Sequence, residues 1–197
     1  VGLADTSYGM GCTTGDYDND GDPDLFVTNF GPNALYRNEG PQGTGWRFAD
    51  VTGRTVLGQE RGWHTGCAFG DYDLDGDLDL YVATYLDYSF EGDLLDQGGR
   101  LQRPRRHLAP TEYPGQRDFL FRNDGGEHFV DVTREAGMFT LEGRQLGVLF
   151  LDFDEDGDPD LFQADDATPN FLYRNEGNGR FTEVGLTAGV AYSRAGK

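Results

Sequence analysis

Residues 16–27 read DYDNDGDPDLFV, and the pattern returns as DYDLDGDLDLYV at 71–82 and DFDEDGDPDLFQ at 152–163. In each copy, acids occupy alternate positions, an aromatic sits second and a glycine sixth, and a short apolar run follows. Spacing kept three times in one chain is the mark of a repeat architecture, and it governs how the rest of the sequence is read.

The surroundings repeat as well. NALYRNEG at 33–40, DFLFRNDG at 118–125 and NFLYRNEG at 170–177 come next, then RFADVT at 47–52, HFVDVT at 128–133 and RFTEV at 180–184. Before the acids lie GMGCTTG, HTGCAFG and QLGVLFL. Each unit therefore reads as four short strands, the last two joined by an Asn-acid-Gly turn that signals a hairpin. The acidic stretches start 55 and then 81 residues apart, so an insertion is placed at 87–117, where the flanking elements keep their spacing.

Four antiparallel strands per unit is the pattern of a propeller blade. The expected fold is all-β: a single repeat array over 1–197, with blades at about 5–52, 60–133 and 144–184 and a linker to a next blade at 185–197. Propellers close with about four to eight blades, more than this length holds. A partial propeller, completed by further blades or by other copies of the chain, is the expectation.

Composition bounds the partners. The 197 residues carry 35 acids against 16 Lys and Arg, a net charge of -19 that repels nucleic-acid phosphates and anionic lipid and favours cations. No apolar run approaches the roughly 20 residues of a membrane span, so no membrane insertion is expected. Two cysteines are too few for a disulfide framework or a thiolate zinc site.

The acidic loops suit calcium. A hard cation takes about six to eight oxygens, which a loop can supply from side chains at positions 1, 3, 5 and 9 and a carbonyl at 7. The candidate ligands are Asp16, Asp18, Asp20, Asp22 and Asp24; Asp71, Asp73, Asp75, Asp77 and Asp79; and Asp152, Asp154, Asp156, Asp158 and Asp160. One Ca²⁺ per loop gives about three per chain. Tyr17, Tyr72 and Phe153 alternate with the ligands and are expected to turn into the packing. An EF-hand is disfavoured because position 12 is Val27, Val82 or Gln163 rather than glutamate, and β-rich segments follow. Magnesium wants a tighter octahedral shell, and soft metals want other donors.

DxDxDGDxD followed by DLF or DLY, then LYRNEG, FxDVT and an Ala-Gly linker (Ala136-Gly137, Ala188-Gly189) resembles the FG-GAP and VCBS repeats, the blades also found in integrin α subunits. It is most similar to the cartilage-acidic-protein-like branch. The resemblance implies a calcium-binding β-propeller outside the cell, at the cell surface or in the periplasm, in adhesion, matrix or surface proteins. The three-unit length and the 87–117 insertion depart from it.

Other candidates are read more plainly. Arg37, Arg122 and Arg174 recur and read as architecture, with pairing to a loop carboxylate as the alternative. Cys12 and Cys67 share a position and read as small buried thiols, an inter-blade disulfide being the alternative. RLQRPRRH at 100–107 is the one basic cluster: a solvated loop, or a dock for an acidic neighbour. His64, His107 and His128 share no spacing that suggests a metal or catalytic set. Ser7, Ser89 and Ser193 lack a nucleophile-elbow context. A non-enzymatic, calcium-stabilised module with a structural or adhesive role is the leading expectation. Self-assembly into a filament or layer, and a carbohydrate-binding or carbohydrate-processing propeller domain, are the alternatives.

Overall fold

The computed structural model describes residues 2–4, 6–89 and 109–193. The basic run 100–107, His107 and most of the insertion lie outside these residues.

Each repeat folds into an antiparallel meander of four strands. Unit one comprises β1 (Tyr8–Gly15), β2 (Asp24–Gly31), β3 (Ala34–Gln42) and β4 (Gly45–Asp50). Unit two comprises β5 (Gly62–Gly70), β6 (Asp79–Thr84), β7 (Phe119–Asn123) and β8 (Phe129–Asp131). Unit three comprises β9 (Gln145–Leu151), β10 (Asp160–Asp165), β11 (Phe171–Asn175) and β12 (Phe181–Glu183). Each acidic loop joins the first strand of its unit to the second, in registers such as Gly15 opposite Asp24 and Gly70 opposite Asp79. The chain is thus an all-β, partial propeller-type array. Two details go beyond the sequence reading. Units one and two share a sheet, because β2 runs on to pair Phe30 with Trp63, whose rings meet edge-on at 5.7 Å. The segment after β12, expected as linker, opens with a helical turn, α1 (Gly185–Ala188).

Two apolar cores lie where units face each other. Tyr17, Phe26, Leu35 and Leu57 meet Leu80, Val82, Phe119 and Phe129 at the first junction. Tyr72, Tyr81, Leu120 and Met138 meet Leu161, Tyr173 and Phe181 at the second. The first strands approach closely: a Cβ at Gly11 would collide with the Thr65 carbonyl, so only glycine fits there. Strand alternation then puts Cys12 on the opposite, exposed face of β1, whereas Cys67 packs against the first core. Both thiols are free, and burial pushes Cys67 up to about 12. The inter-blade disulfide does not form, because the sheet separates the two side chains.

Tyr17 and Tyr72 turn into the packing as expected, at 0% and 4% exposure. Phe153, their counterpart in unit three, is 37% exposed. Its place is equivalent, but no following unit covers it among the described residues.

Candidate metal centre

The three loops share one conformation. Position 4 (Asn19, Leu74, Glu155) has φ near +60°, and Gly21, Gly76 and Gly157 at position 6 have φ of 95–97°. Glycine takes that left-handed backbone without a Cβ clash. The loop is further shaped by its own acids. Asp16 accepts the amides of Asp20 (3.0 Å) and Gly21 (2.9 Å), and Asp71 accepts those of Asp75 (3.1 Å) and Gly76 (3.0 Å). Asp152 accepts the Gly157 amide at 3.1 Å. Asp20, Asp75 and Asp156 each accept the amide two residues on, tightening the turn.

Three carboxylates converge in every loop. Asp16, Asp18 and Asp24, then Asp71, Asp73 and Asp79, then Asp152, Asp154 and Asp160 each bring one oxygen within 4.8 Å of the others. These are positions 1, 3 and 9 of the sequence-predicted set. Positions 5 and 7 are not part of these carboxylate groups: Asp20, Asp75 and Asp156 brace the turn, and Asp22, Asp77 and Asp158 were expected to contribute main-chain carbonyls. Asp77 instead uses its side chain to accept from Asn19 across the first junction, at 2.7 Å.

Position 9 is the anchor. Asp24, Asp79 and Asp160 are all 0% exposed, and each ties its loop to the third strand. Asp24 accepts the amides of Tyr17 (3.1 Å) and Asn38 (2.7 Å). Asp79 accepts those of Tyr72 (3.0 Å) and Asn123 (2.9 Å), and Asp160 those of Phe153 (3.0 Å) and Asn175 (2.7 Å). Burial pushes Asp24 up to about 7 and Asp79 up to about 8, and raises Asp160, despite these amides. Burial raises Asp18 and Asp73 as well, with neighbouring loop acids adding to it. Asp18 Oδ1 is buried without a hydrogen-bond partner. Clustered, desolvated carboxylates, one with an orphaned oxygen, form a donor set that a hard divalent cation fits.

The recurring arginines do not touch the loop acids. Arg37, Arg122 and Arg174 pair with Glu39, Asp124 and Glu176, two residues on in the same strand or turn, at 2.6–2.7 Å. The architectural reading holds.

Sequence reasoning passed over the asparagine beside them. Asn38, Asn123 and Asn175 each accept the amide two residues ahead and donate to the carbonyl before the position-9 aspartate. Asn123 and Asn175 also donate to the carbonyls of Tyr17 (2.8 Å) and Tyr72 (2.7 Å) in the preceding unit's loop. They latch one loop to the next unit. Its recurrence in every LYRN element was the available signal. Asp118 was also missed: it is buried, receives Thr84 N (2.7 Å), Tyr81 Oη (3.1 Å) and Gln163 Nε2 (3.0 Å), and burial pushes it up to about 7. His64 is buried against Asn33 (2.8 Å) and pushed down to about 4, and His128 is an exposed neighbour of Asp124.

Among curated proteins there is no match. A solved structure, that of a lectin from Agrocybe aegerita whose title concerns recognition of non-reducing terminal N-acetylglucosamine, aligns with a TM-score of 0.46 and 16% identity. The alignment covers 90% of this chain and 38% of the lectin, so the chain spans well under half of that protein. The family model described as FG-GAP-like repeat matches residues 4–82 and 152–196. With more than half of its length matched, and the repeated loop-and-meander unit visible in the fold, the chain belongs to the FG-GAP-like repeat family.

Proposed function

We propose that the chain is a calcium-binding, non-enzymatic propeller-type module with a structural or adhesive role outside the cell, each loop taking one Ca²⁺. The observation that carries this is the convergence of positions 1, 3 and 9 in all three loops, with Asp18 Oδ1 left unpaired. Residues 16, 18 and 24 and their counterparts would hold the ion, and carbonyls at position 7 would add neutral oxygens. The ion supplies charge compensation: buried acids that otherwise favour the proton become tolerable, and the loop that anchors two strands is stiffened. An extracellular module with Kd of about 10⁻⁴ M would gain about 1.4 kcal/mol per site at millimolar calcium. Metal analysis after exhaustive dialysis against calcium, together with melting curves with and without EDTA, tests the reading. The expected result is about three ions per chain, one per loop, and a marked fall in Tm on chelation. Calcium-free protein with an unchanged melt would refute it.

A second reading, self-assembly through the end units, is favoured by one observation. The inter-unit latch occurs twice, and two of its halves are unmatched among the described residues: Asn38 donates there within its own unit, and Phe153 lies exposed beside a carbonyl equivalent to those of Tyr17 and Tyr72. Tyr8 and Met10 on one outer face and Leu149 on the other add exposed apolar area. A second copy could pair these halves head to tail. Sedimentation at micromolar to millimolar concentration separates the outcomes: growth in mass supports it, and a monomer throughout refutes it.

A further inference from the structure

The two inter-unit grooves differ in a few side chains, and one of them lacks the ion pairs that cross the other. At the first junction Glu127, from the β7–β8 turn, accepts from Arg37 Nη1 (3.3 Å) and Arg54 Nη1 (3.0 Å), an ion-paired plug near Tyr17. At the second junction the repeat register puts Arg122 in place of Arg37, Glu135 in place of Arg54 and Gly179 in place of Glu127. The plug is deleted, and one of its two cations has reversed sign. A cavity of about 590 Å³ lies there, lined by Tyr72, Asp73, Leu74, Arg122, Glu135, Asp158 and Arg180 among others.

The solvent-facing charged groups that no described residue engages define the occupant. Asp124 holds Arg122 Nε (2.6 Å) and Nη2 (3.3 Å), as Glu39 holds the same atoms of Arg37. Arg122 Nη1, the atom whose counterpart grips Glu127, has no partner among the described residues. The Arg180 guanidinium has none there either, nor does the Glu135 carboxylate. A ligand filling this space must bring an anionic acceptor for the arginine and donors for the acids, with an apolar face for Tyr72 and Leu74.

We propose that the groove between units two and three binds a carboxylated sugar residue of the uronate type. Its carboxylate takes the place of the Glu127 carboxylate on Arg122 Nη1. Its hydroxyls donate to Glu135 and Asp73, and its C–H face packs on Tyr72 and Leu74. The volume falls in the range of about 300–1,000 Å³ typical of small-molecule sites. The groove shares Asp73 with the second acidic loop, so the inference shares that one residue with the calcium reading, while Arg122 and Glu135 lie outside the loops.

Titration of the whole chain with methyl glucuronide, methyl glucoside and glutamate, followed by ligand-detected NMR at millimolar calcium, tests it. Saturable binding of the uronide is expected, weakened about tenfold by Arg122→Gln, as for loss of a charge-assisted hydrogen bond, and weakened again by Glu135→Gln. Arg37→Gln, in the plugged groove, should leave it unchanged. Circular dichroism confirms that each variant is folded. Equal affinity for the neutral glucoside, tighter binding of glutamate, no saturation by the uronide, or folded Arg122 and Glu135 variants that bind like the parent would each overturn the proposal.

Discussion

Leu74 is the residue whose sequence and conformation disagree most openly. It occupies a left-handed position, φ 59°, where the first loop has Asn19. A leucine there crowds its Cβ against the backbone at a cost of about 1 kcal/mol, and its side chain is 58% exposed, so little burial offsets that. Asn19 in the same place also donates to Asp77 of the next unit's loop at 2.7 Å. Leu74→Asn is therefore expected to raise Tm by about 2–4 °C, readable in a thermal melt. Asp118 sets a second residue-scale expectation. Its ordinary value of 3.8 is pushed to about 7 by burial, so the folded state holds a proton that the unfolded chain has lost. Its contribution to stability is then fully present below about pH 4 and is lost as pH rises through about 7. Asn33 and Asn170 fill the equivalent position in the other units, so Asp118→Asn should fold and should flatten the decline in stability between pH 4 and 7. Denaturant titrations of both proteins across that window would show it; identical slopes would remove Asp118 from the account.

At the scale of elements, the third strand of each unit does more than complete a meander. Its asparagine closes the Asn-acid-Gly turn, holds the carbonyl before the position-9 aspartate, and in units two and three reaches the preceding loop. Asn123→Ala should cost about 3 kcal/mol, since three buried hydrogen-bonding groups lose their partner. Asn38→Ala should cost about 1 kcal/mol less, because Asn38 lacks the inter-unit bond. Urea unfolding of the two variants side by side measures the difference, which is the value of the latch. The elements themselves were legible in the sequence because period-two alternation and turn residues are local signals: DLFV, LYRN and FVDV each became strands. So was the convergence of positions 1, 3 and 9, since parity separates the acidic side of the loop from the core side. What stayed hidden depends on partners distant in the chain. The Asn123 side chain bonds a carbonyl 106 residues away, and Asp118 meets Gln163 from another unit, contacts that no local spacing announces. The division of labour inside the loop was equally hidden, because alternating aspartates look alike until the turn assigns positions 1 and 5 to its own amides.

For the whole molecule the governing quantity is charge. A net -19 is spread over 197 residues, and sixteen of the acids sit in three nine-residue loops on one end of their meanders. Such crowding opposes the compact state through self-repulsion. Three divalent ions would cancel about a third of the net charge at the places where it is densest. The surface ion pairs of Arg37, Arg122 and Arg174 are partly exposed, so they add little and cannot do this in the ions' place. Monovalent salt acts on the same repulsion from outside: the screening length falls from about 30 Å at 0.01 M to about 10 Å at 0.1 M and about 3 Å at 1 M. The calcium reading therefore carries a signature beyond a drop in Tm. In EDTA the melting temperature should climb as sodium chloride is raised from 0.01 to 0.5 M, while in millimolar calcium the same series should be much flatter. A salt dependence of equal slope in both buffers would mean that the loops do not gather the ions, because the repulsion would then be the same with calcium as without it.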